Sequence, residues 1–162
     1  MKKEIAIVAL AALASHTATA ATVVEKKAMK QVESTLSEQV ASTASACGNE
    51  ALELEVKWDA YGEMITENQG KLESNKYKSQ WVYGHVGDRN SAALEAMANI
   101  CNSDEDYKEV IAELTQVVIE PQQDFDNAES EFSVDGSTLL ITSGHQMSRQ
   151  ASDFERPIKS LF

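Results

Sequence analysis

The chain has 162 residues, of which 26 are acidic and 14 are lysine or arginine, so its formal net charge at pH 7 is −12. Such a charge repels phosphate backbones and anionic headgroups, which argues against binding to nucleic acid or to an anionic membrane surface. Basic proteins remain suitable partners, although the charge also accounts for solubility by itself.

The first twenty residues, MKKEIAIVALAALASHTATA, have the three-part order of a secretory signal peptide. Two lysines precede an apolar run from Ile5 to Ala14, and small residues then end at Ala20. The pattern predicts cleavage after Ala20 and export of residues 21–162, as a single domain, to the periplasm or the cell exterior. We expect no membrane insertion of the mature chain, because no later segment has the roughly 18 unbroken apolar residues that a membrane helix needs.

An amphipathic helix is predicted from Glu25 to Ala46, because apolar residues recur there every three or four positions. These residues are Met29, Val32, Leu36 and Val40. Gly48 is suited to end this helix in the left-handed conformation. From Leu52 to Trp58 apolar and polar side chains alternate, which predicts a strand with one buried face.

The pattern between Asp59 and Gly87 fits either helical turns or an extended loop, because glycines interrupt its apolar spacing. A helix is predicted to begin at Asn90 or Ser91, since either residue can act as an N-cap. The apolar spacing that follows places Cys101 on the buried face of this helix.

Ser103 and Asp106 resemble a capping box at the start of a further helix. Its apolar stripe has helical spacing and consists of Tyr107, Val110, Ile111 and Leu114. A strand is predicted over residues 115–121, and Pro121 ends it.

A β-hairpin is predicted around Asp135 and Gly136, because an Asp-Gly pair between alternating side chains favours a tight turn. This turn would place Phe132 opposite Leu139. The last predicted element is a short helix that begins with a capping box of Ser152 and Glu155. Pro157 is tolerated because it falls early in this helix. The apolar stripe consists of Phe154, Ile158 and Leu161.

Cys47 and Cys101 are the two cysteines of the chain. In an oxidising compartment two cysteines in so small a chain pair with each other. A redox site would usually require a CxxC motif, and a structural zinc site would require about four clustered ligands. We therefore predict one structural disulfide bond.

These elements predict the class and layout of the fold. Helices are grouped early in the chain and strands late, which is typical of α+β proteins. The expected domain has about four antiparallel strands with amphipathic helices packed on one face and one disulfide bond.

The least regular segment, residues 59–87, contains four aromatic side chains in a stretch of nine residues. They are Tyr77, Trp81, Tyr83 and His85. Aromatic side chains with polar tips often anchor protein partners, and their rings can stack on sugars. They can equally cover the edge of a small core. If the chain has a binding site, we expect it to contain these four residues.

Acidic residues are densest between Asp124 and Glu131, where Asp126 and Glu129 complete a set of four carboxylates that could bind calcium. The sequence does not match the EF-hand loop, because Ala128 stands where a ligand is required. A solvated acidic loop is the simpler interpretation, so these residues are only a weak metal candidate. We predict no cofactor.

The mature chain keeps two histidines, His85 and His145, and two serines, Ser143 and Ser148, lie close to the second histidine in sequence. The GxSxG motif of a nucleophile elbow is absent, so we expect no serine-hydrolase site. Carboxylates are so numerous that any pair can be proposed as a glycosidase site.

The leading functional hypothesis is an exported, non-enzymatic binding domain whose partner is a basic protein or a cell-envelope component. In one version it is an inhibitor or immunity-type protein for a basic envelope enzyme, because opposite charges accelerate encounter. One alternative is a small carboxylate-dependent cell-envelope hydrolase assisted by His85 or His145. The other alternative is a calcium-stabilised structural protein.

Overall fold

The computed structural model describes residues 21–162, so the predicted signal peptide lies outside the described residues. This part of the chain forms six helices and four strands. In chain order they are α1 (Val23–Cys47), β1 (Glu53–Val56), α2 (Trp58–Glu67), α3 (Gln69–Ser74), α4 (Ser79–Ser103), α5 (Glu105–Ile111), β2 (Gln116–Pro121), β3 (Ser130–Asp135), β4 (Thr138–Ser143) and α6 (Ala151–Lys159). None of the helices in this part of the chain is both long enough and apolar enough to span a membrane.

The α+β class is confirmed, but the prediction of an antiparallel sheet is wrong. The strand order is β1-β2-β4-β3, and β1, β2 and β4 run parallel to one another. Only the β3–β4 hairpin is antiparallel. The side-chain period is two in both kinds of sheet, so alternation cannot reveal strand direction. Helices α2 to α5 form the long crossover that a parallel β1–β2 pair requires.

One face of the sheet is apolar and belongs to the core. Its side chains are Leu54, Val56, Val117, Ile119, Phe132, Val134, Leu139 and Ile141. Helices pack on this face, and the aromatic contact of Phe132 with Phe154 of α6, at 5.4 Å between ring centroids, is one example. The opposite face is mostly polar; its side chains are exposed on β1 and β3 and half-buried or buried on β2 and β4.

The predicted disulfide bond is confirmed, and it joins the two longest helices. Cys47 ends α1 and Cys101 lies near the end of α4, with their Cα atoms 5.1 Å apart. Both cysteines are buried. The hydroxyl of Thr43 donates to the carbonyl of Leu94 at 2.9 Å across the same helix pair. Gly48 ends α1 in the left-handed conformation, with φ 68°, as predicted.

Helix α4 begins at Ser79, well before the predicted start at Asn90 or Ser91. Asn90 is buried within the helix, where its amide donates to the carbonyl of Val86 at 2.8 Å. Glycines lower the intrinsic helix propensity of this segment. Burial of Val82 and Val86 in the core outweighs that deficit.

Both predicted capping boxes are wrong. The hydroxyl of Ser103 donates back to the carbonyl of Ile100 at 3.2 Å instead of capping α5. In α6 the box is formed by Gln150 and Asp153. The carboxylate of Asp153 accepts a hydrogen bond from the backbone N–H of Gln150 at 2.9 Å. Pro157 lies in the second half of α6, later than predicted.

The predicted hairpin is present with a shifted register. Phe132 lies opposite Ile141, and Leu139 lies opposite Val134. The two residues between the strands are 136 and 137, one position later than the predicted turn. A shift of the turn by one residue moves the pairing by two, so every side chain keeps its face of the sheet.

Replacing both cysteines, C47A/C101A, should lower the melting temperature by on the order of 10 °C. The disulfide closes a loop with a sequence separation of 54 residues, for which chain entropy gives about 4 kcal/mol. Circular dichroism melts of the oxidised protein and the double variant measure this difference. A melting temperature within two or three degrees of the oxidised protein would contradict a structural role for the bond.

Candidate functional site

Buried polar side chains collect at one edge of the sheet, where the parallel strands β2 and β4 end. The segments 122–130 and 144–150 follow these strands and lie side by side. Binding residues in open sheets with parallel strands are commonly found at this edge. The buried polar residues are Arg89, Gln122, Ser143 and His145.

Arg89 of α4 is fully buried and binds both segments at once. Its guanidinium donates to the carbonyl of Met147 at 2.6 Å and also to the carbonyl of Ala128. Two further bonds, of 3.1 and 3.3 Å, reach the hydroxyl of Ser130. Within residues 21–162 no carboxylate forms an ion pair with Arg89. Backbone carbonyls and a hydroxyl thus replace most of its lost hydration.

The two segments approach each other at Gly144. Its amide donates to the carbonyl of Glu129 at 3.0 Å. A Cβ atom on Gly144 would lie 2.8 Å from the backbone of Asn127 and Ala128, so a larger residue would separate the segments. Gln146 adds a bond from its amide to the carbonyl of Phe125 at 2.9 Å.

A pocket of about 250 Å³ opens beside these segments. Its lining residues are Leu72, Asn75, Tyr77, Phe125, Asp126, His145 and Gln146. The rings of Phe125 and His145 are in contact, with centroids 4.6 Å apart. The Tyr77 hydroxyl donates to the carbonyl of His145 at 3.1 Å, which holds the tyrosine against the pocket wall. Three separate segments therefore build this pocket.

His145 is the buried polar group of the pocket, with 2 % of its surface exposed. Its pKa is lowered to about 4, mainly by burial and in smaller part by the proximity of His85 and Arg89. The imidazole is therefore neutral at pH 7. Nδ1 of the neighbouring His85 is buried and lacks a hydrogen-bond partner within the described residues.

Three of the four predicted binding residues lie together, on a helix and its approach instead of on a loop. Tyr77, Trp81 and His85 are spaced by four residues and share one side of the α4 start. The Tyr77 ring centroid is 5.6 Å from that of Trp81 and 6.0 Å from that of His85. Trp81 is 44 % exposed. Tyr83 is buried in the core, where its ring contacts Trp58.

The acidic residues proposed as a weak calcium site make other contacts. Asp126 forms an ion pair with Lys71 at 2.6 Å, at the rim of the pocket, and Glu129 pairs with Arg149 at 3.4 Å. Asp124 accepts the Asp126 amide, and Glu131 accepts the Asn127 side chain. In residues 21–162 no three His, Cys, Asp or Glu side chains are grouped to hold a metal ion.

The serines near His145 have other neighbours too. The Ser143 hydroxyl donates to the carbonyl of Gly144 at 3.2 Å. Ser148 lines a different pocket, next to Arg149 and α6.

Replacing Arg89 by lysine should lower the free energy of unfolding by about 2–4 kcal/mol, because an ammonium cannot reach all of the acceptors that the guanidinium binds. Hydrogen exchange should accelerate in both segments, 122–130 and 144–150. The matched control is Arg149→Lys, which affects a partly exposed ion pair and should cost less than about 1 kcal/mol. Equal losses in the two variants would show that Arg89 does not anchor the segments.

Stability should fall as the pH drops from 6.5 towards 4, partly because of His145. Over this range the unfolded chain takes up a proton that the folded imidazole binds only near pH 4. Protonation of His145 in the unfolded chain should lower the free energy of unfolding by roughly 3 kcal/mol by pH 4. Above pH 6.5 none of this free energy is lost. Urea unfolding at several pH values should give a shallower pH dependence for His145→Asn than for the native chain. Parallel curves for the two proteins would refute the lowered pKa.

Comparisons with protein-family models, with curated proteins and with solved structures find no match to this chain. No relative therefore supplies a role for the pocket or for the exposed tryptophan beside it. The function has to be inferred from the contacts, burial and charges of the chain itself.

Proposed function

We propose that this protein is an exported, non-enzymatic binding domain for a basic protein, and more specifically an inhibitor or immunity-type protein for a basic cell-envelope enzyme. The observation that carries the proposal is the exposed Trp81 held against Tyr77, next to the pocket of Phe125 and His145.

Trp81 has the properties of an anchor for a protein partner. Tyr77 packs edge-on against it, so the ring is positioned before binding and loses little entropy on contact. Exposed tryptophans beside pockets are typical of the few residues that dominate binding energy. The adjacent pocket, about 250 Å³, is smaller than most small-molecule sites and suits one inserted side chain.

Charge favours a basic partner over other macromolecules. The net charge of −12 attracts cationic proteins and accelerates their encounter with this chain. At the pocket rim the carboxylate of Asp126 is more than half exposed, and among residues 21–162 it forms an ion pair only with Lys71. A basic side chain of the partner can compete with Lys71 for this carboxylate.

Two observations support export. The N-terminal sequence has the pattern of a signal peptide. The disulfide bond between Cys47 and Cys101 is of the kind that persists in oxidising compartments. Neither the hydrolase nor the calcium alternative gains a specific contact from the described residues, so we propose neither.

Trp81→Ala should abolish capture of a basic envelope protein by this chain. Removal of a binding anchor of this kind costs about 2 kcal/mol or more, which corresponds to a loss of affinity of at least roughly thirtyfold. The immobilised protein is incubated at low salt with the cation-exchange fraction of an envelope extract, and quantitative mass spectrometry measures what is retained.

The matched control is Phe162→Ala, which removes an aromatic side chain that is 42 % exposed at the C-terminus. Retention by this variant should stay within about twofold of the native chain. Retention that is insensitive to both substitutions, or equally sensitive to both, would remove the support for Trp81 as the anchor.

A further inference from the structure

The uncovered face of the sheet is a second surface with a definite chemistry. We infer that this face, named here the acidic sheet face, is the docking surface for a flat basic surface of the protein partner. The inference rests on the proposed function in one respect, since it takes the partner to be a basic protein. It assigns the contact to strands that lie apart from the Trp81 anchor.

Strand register defines the arrangement of this face. Val118 and Leu140 are paired across β2 and β4 and form its apolar centre, in which Val118 is buried and Leu140 is half-buried. Five carboxylates on three of the four strands surround that centre. They are Glu53 and Glu55 on β1, Glu120 on β2, and Glu131 and Asp135 on β3. An apolar centre with a charged rim is the usual anatomy of a protein interface.

The negative charge of the acidic sheet face is almost uncompensated. None of the residues in the four strands is basic. Lys57, which follows β1, is paired with Glu55. The side chains of Glu53, Glu131 and Asp135 are exposed and form no ion pair within residues 21–162.

Two of the carboxylates are also held in position by neighbouring strands. Gln116 donates its amide to Glu55 at 3.3 Å, and Thr142 donates its hydroxyl to Glu120 at 3.4 Å. Carboxylates oriented before binding lose less entropy when a partner arrives. The face is therefore both charged and ordered.

Like charges exclude several other occupants of this face. A second copy of the chain would bring five carboxylates against five more, which is repulsive at short range. Nucleic acid and anionic lipid are repelled for the same reason. A cationic protein surface with a small apolar centre complements both parts of the face.

The size of the face indicates where the interface continues. Four strands are about 14 Å across, and strands of six residues are about 20 Å long, so the face measures roughly 280 Å². This area is well below the roughly 800 Å² that each partner buries in a standard interface. Glu120 and Glu131 lie at the end of the face that adjoins the segment 122–130, which contributes Phe125 and Asp126 to the pocket. A partner of ordinary size would therefore cover the face and reach the pocket edge.

The test is an isothermal titration calorimetry experiment in which a decalysine peptide is titrated into the purified protein at low salt. The variant E53Q/E131Q/D135N removes three exposed charges from the face. The matched control E33Q/E38Q/E95Q removes three exposed charges from α1 and α4, where none forms an ion pair within the described residues. We expect at least a tenfold weaker Kd for the face variant and less than a twofold change for the control.

Equal weakening in both triple variants would overturn the inference, because only net charge would then attract the peptide. Absence of any decalysine binding to the native chain would overturn it as well. Circular dichroism melts of both variants verify that the fold is retained. Decalysine binding reports on the acidic sheet face, whereas capture of an envelope protein by Trp81→Ala reports on the anchor, so failure of the docking surface and failure of the proposed anchor give different results.

Discussion

The edge of the domain that carries the candidate site depends on the buried guanidinium of Arg89. Burying a charge without a carboxylate is unfavourable unless hydrogen bonds replace its hydration. Here the carbonyls of Ala128 and Met147 and the hydroxyl of Ser130 provide that replacement. The same bonds satisfy backbone acceptors in two segments that have no ladder partners of their own. Without them the pocket would lose the support of two of its walls.

The rest of the fold supplies a rigid support for this edge. The pair of α1 and α4, joined by the disulfide bond and by Thr43, covers one face of the sheet. The apolar core packs against this face, and the opposite face carries carboxylates that are exposed on β1 and β3. Charged residues on the outer strands β1 and β3 also discourage pairing with further strands. One set of charges can therefore protect the sheet and select a partner.

Features that depend on local pattern could be predicted from the sequence, and features that depend on chain topology could not. The disulfide bond, the Gly48 cap and the one-faced strands follow from residue type and period. Strand direction was predicted wrongly because the period is two in either direction. Arg89 was missed because it lies between the ambiguous segment 59–87 and the predicted helix start at Asn90 or Ser91. Val82, Val86, Arg89 and Ala93 nevertheless have helical spacing, and all are buried. Phe125 was missed because it is an isolated aromatic residue among acids.

Assembly of the site also links the proposed binding to the compartment of the protein. The pocket takes residues from the approach to α4, from the segment after β2 and from the segment after β4, so only the folded chain has it. The disulfide bond contributes about 4 kcal/mol, a large share of the 5–15 kcal/mol that is typical of a whole domain. A reduced chain therefore populates the folded pocket far less than an oxidised chain does. Under the proposed function, binding competence is therefore greatest in an oxidising compartment, where the disulfide bond persists.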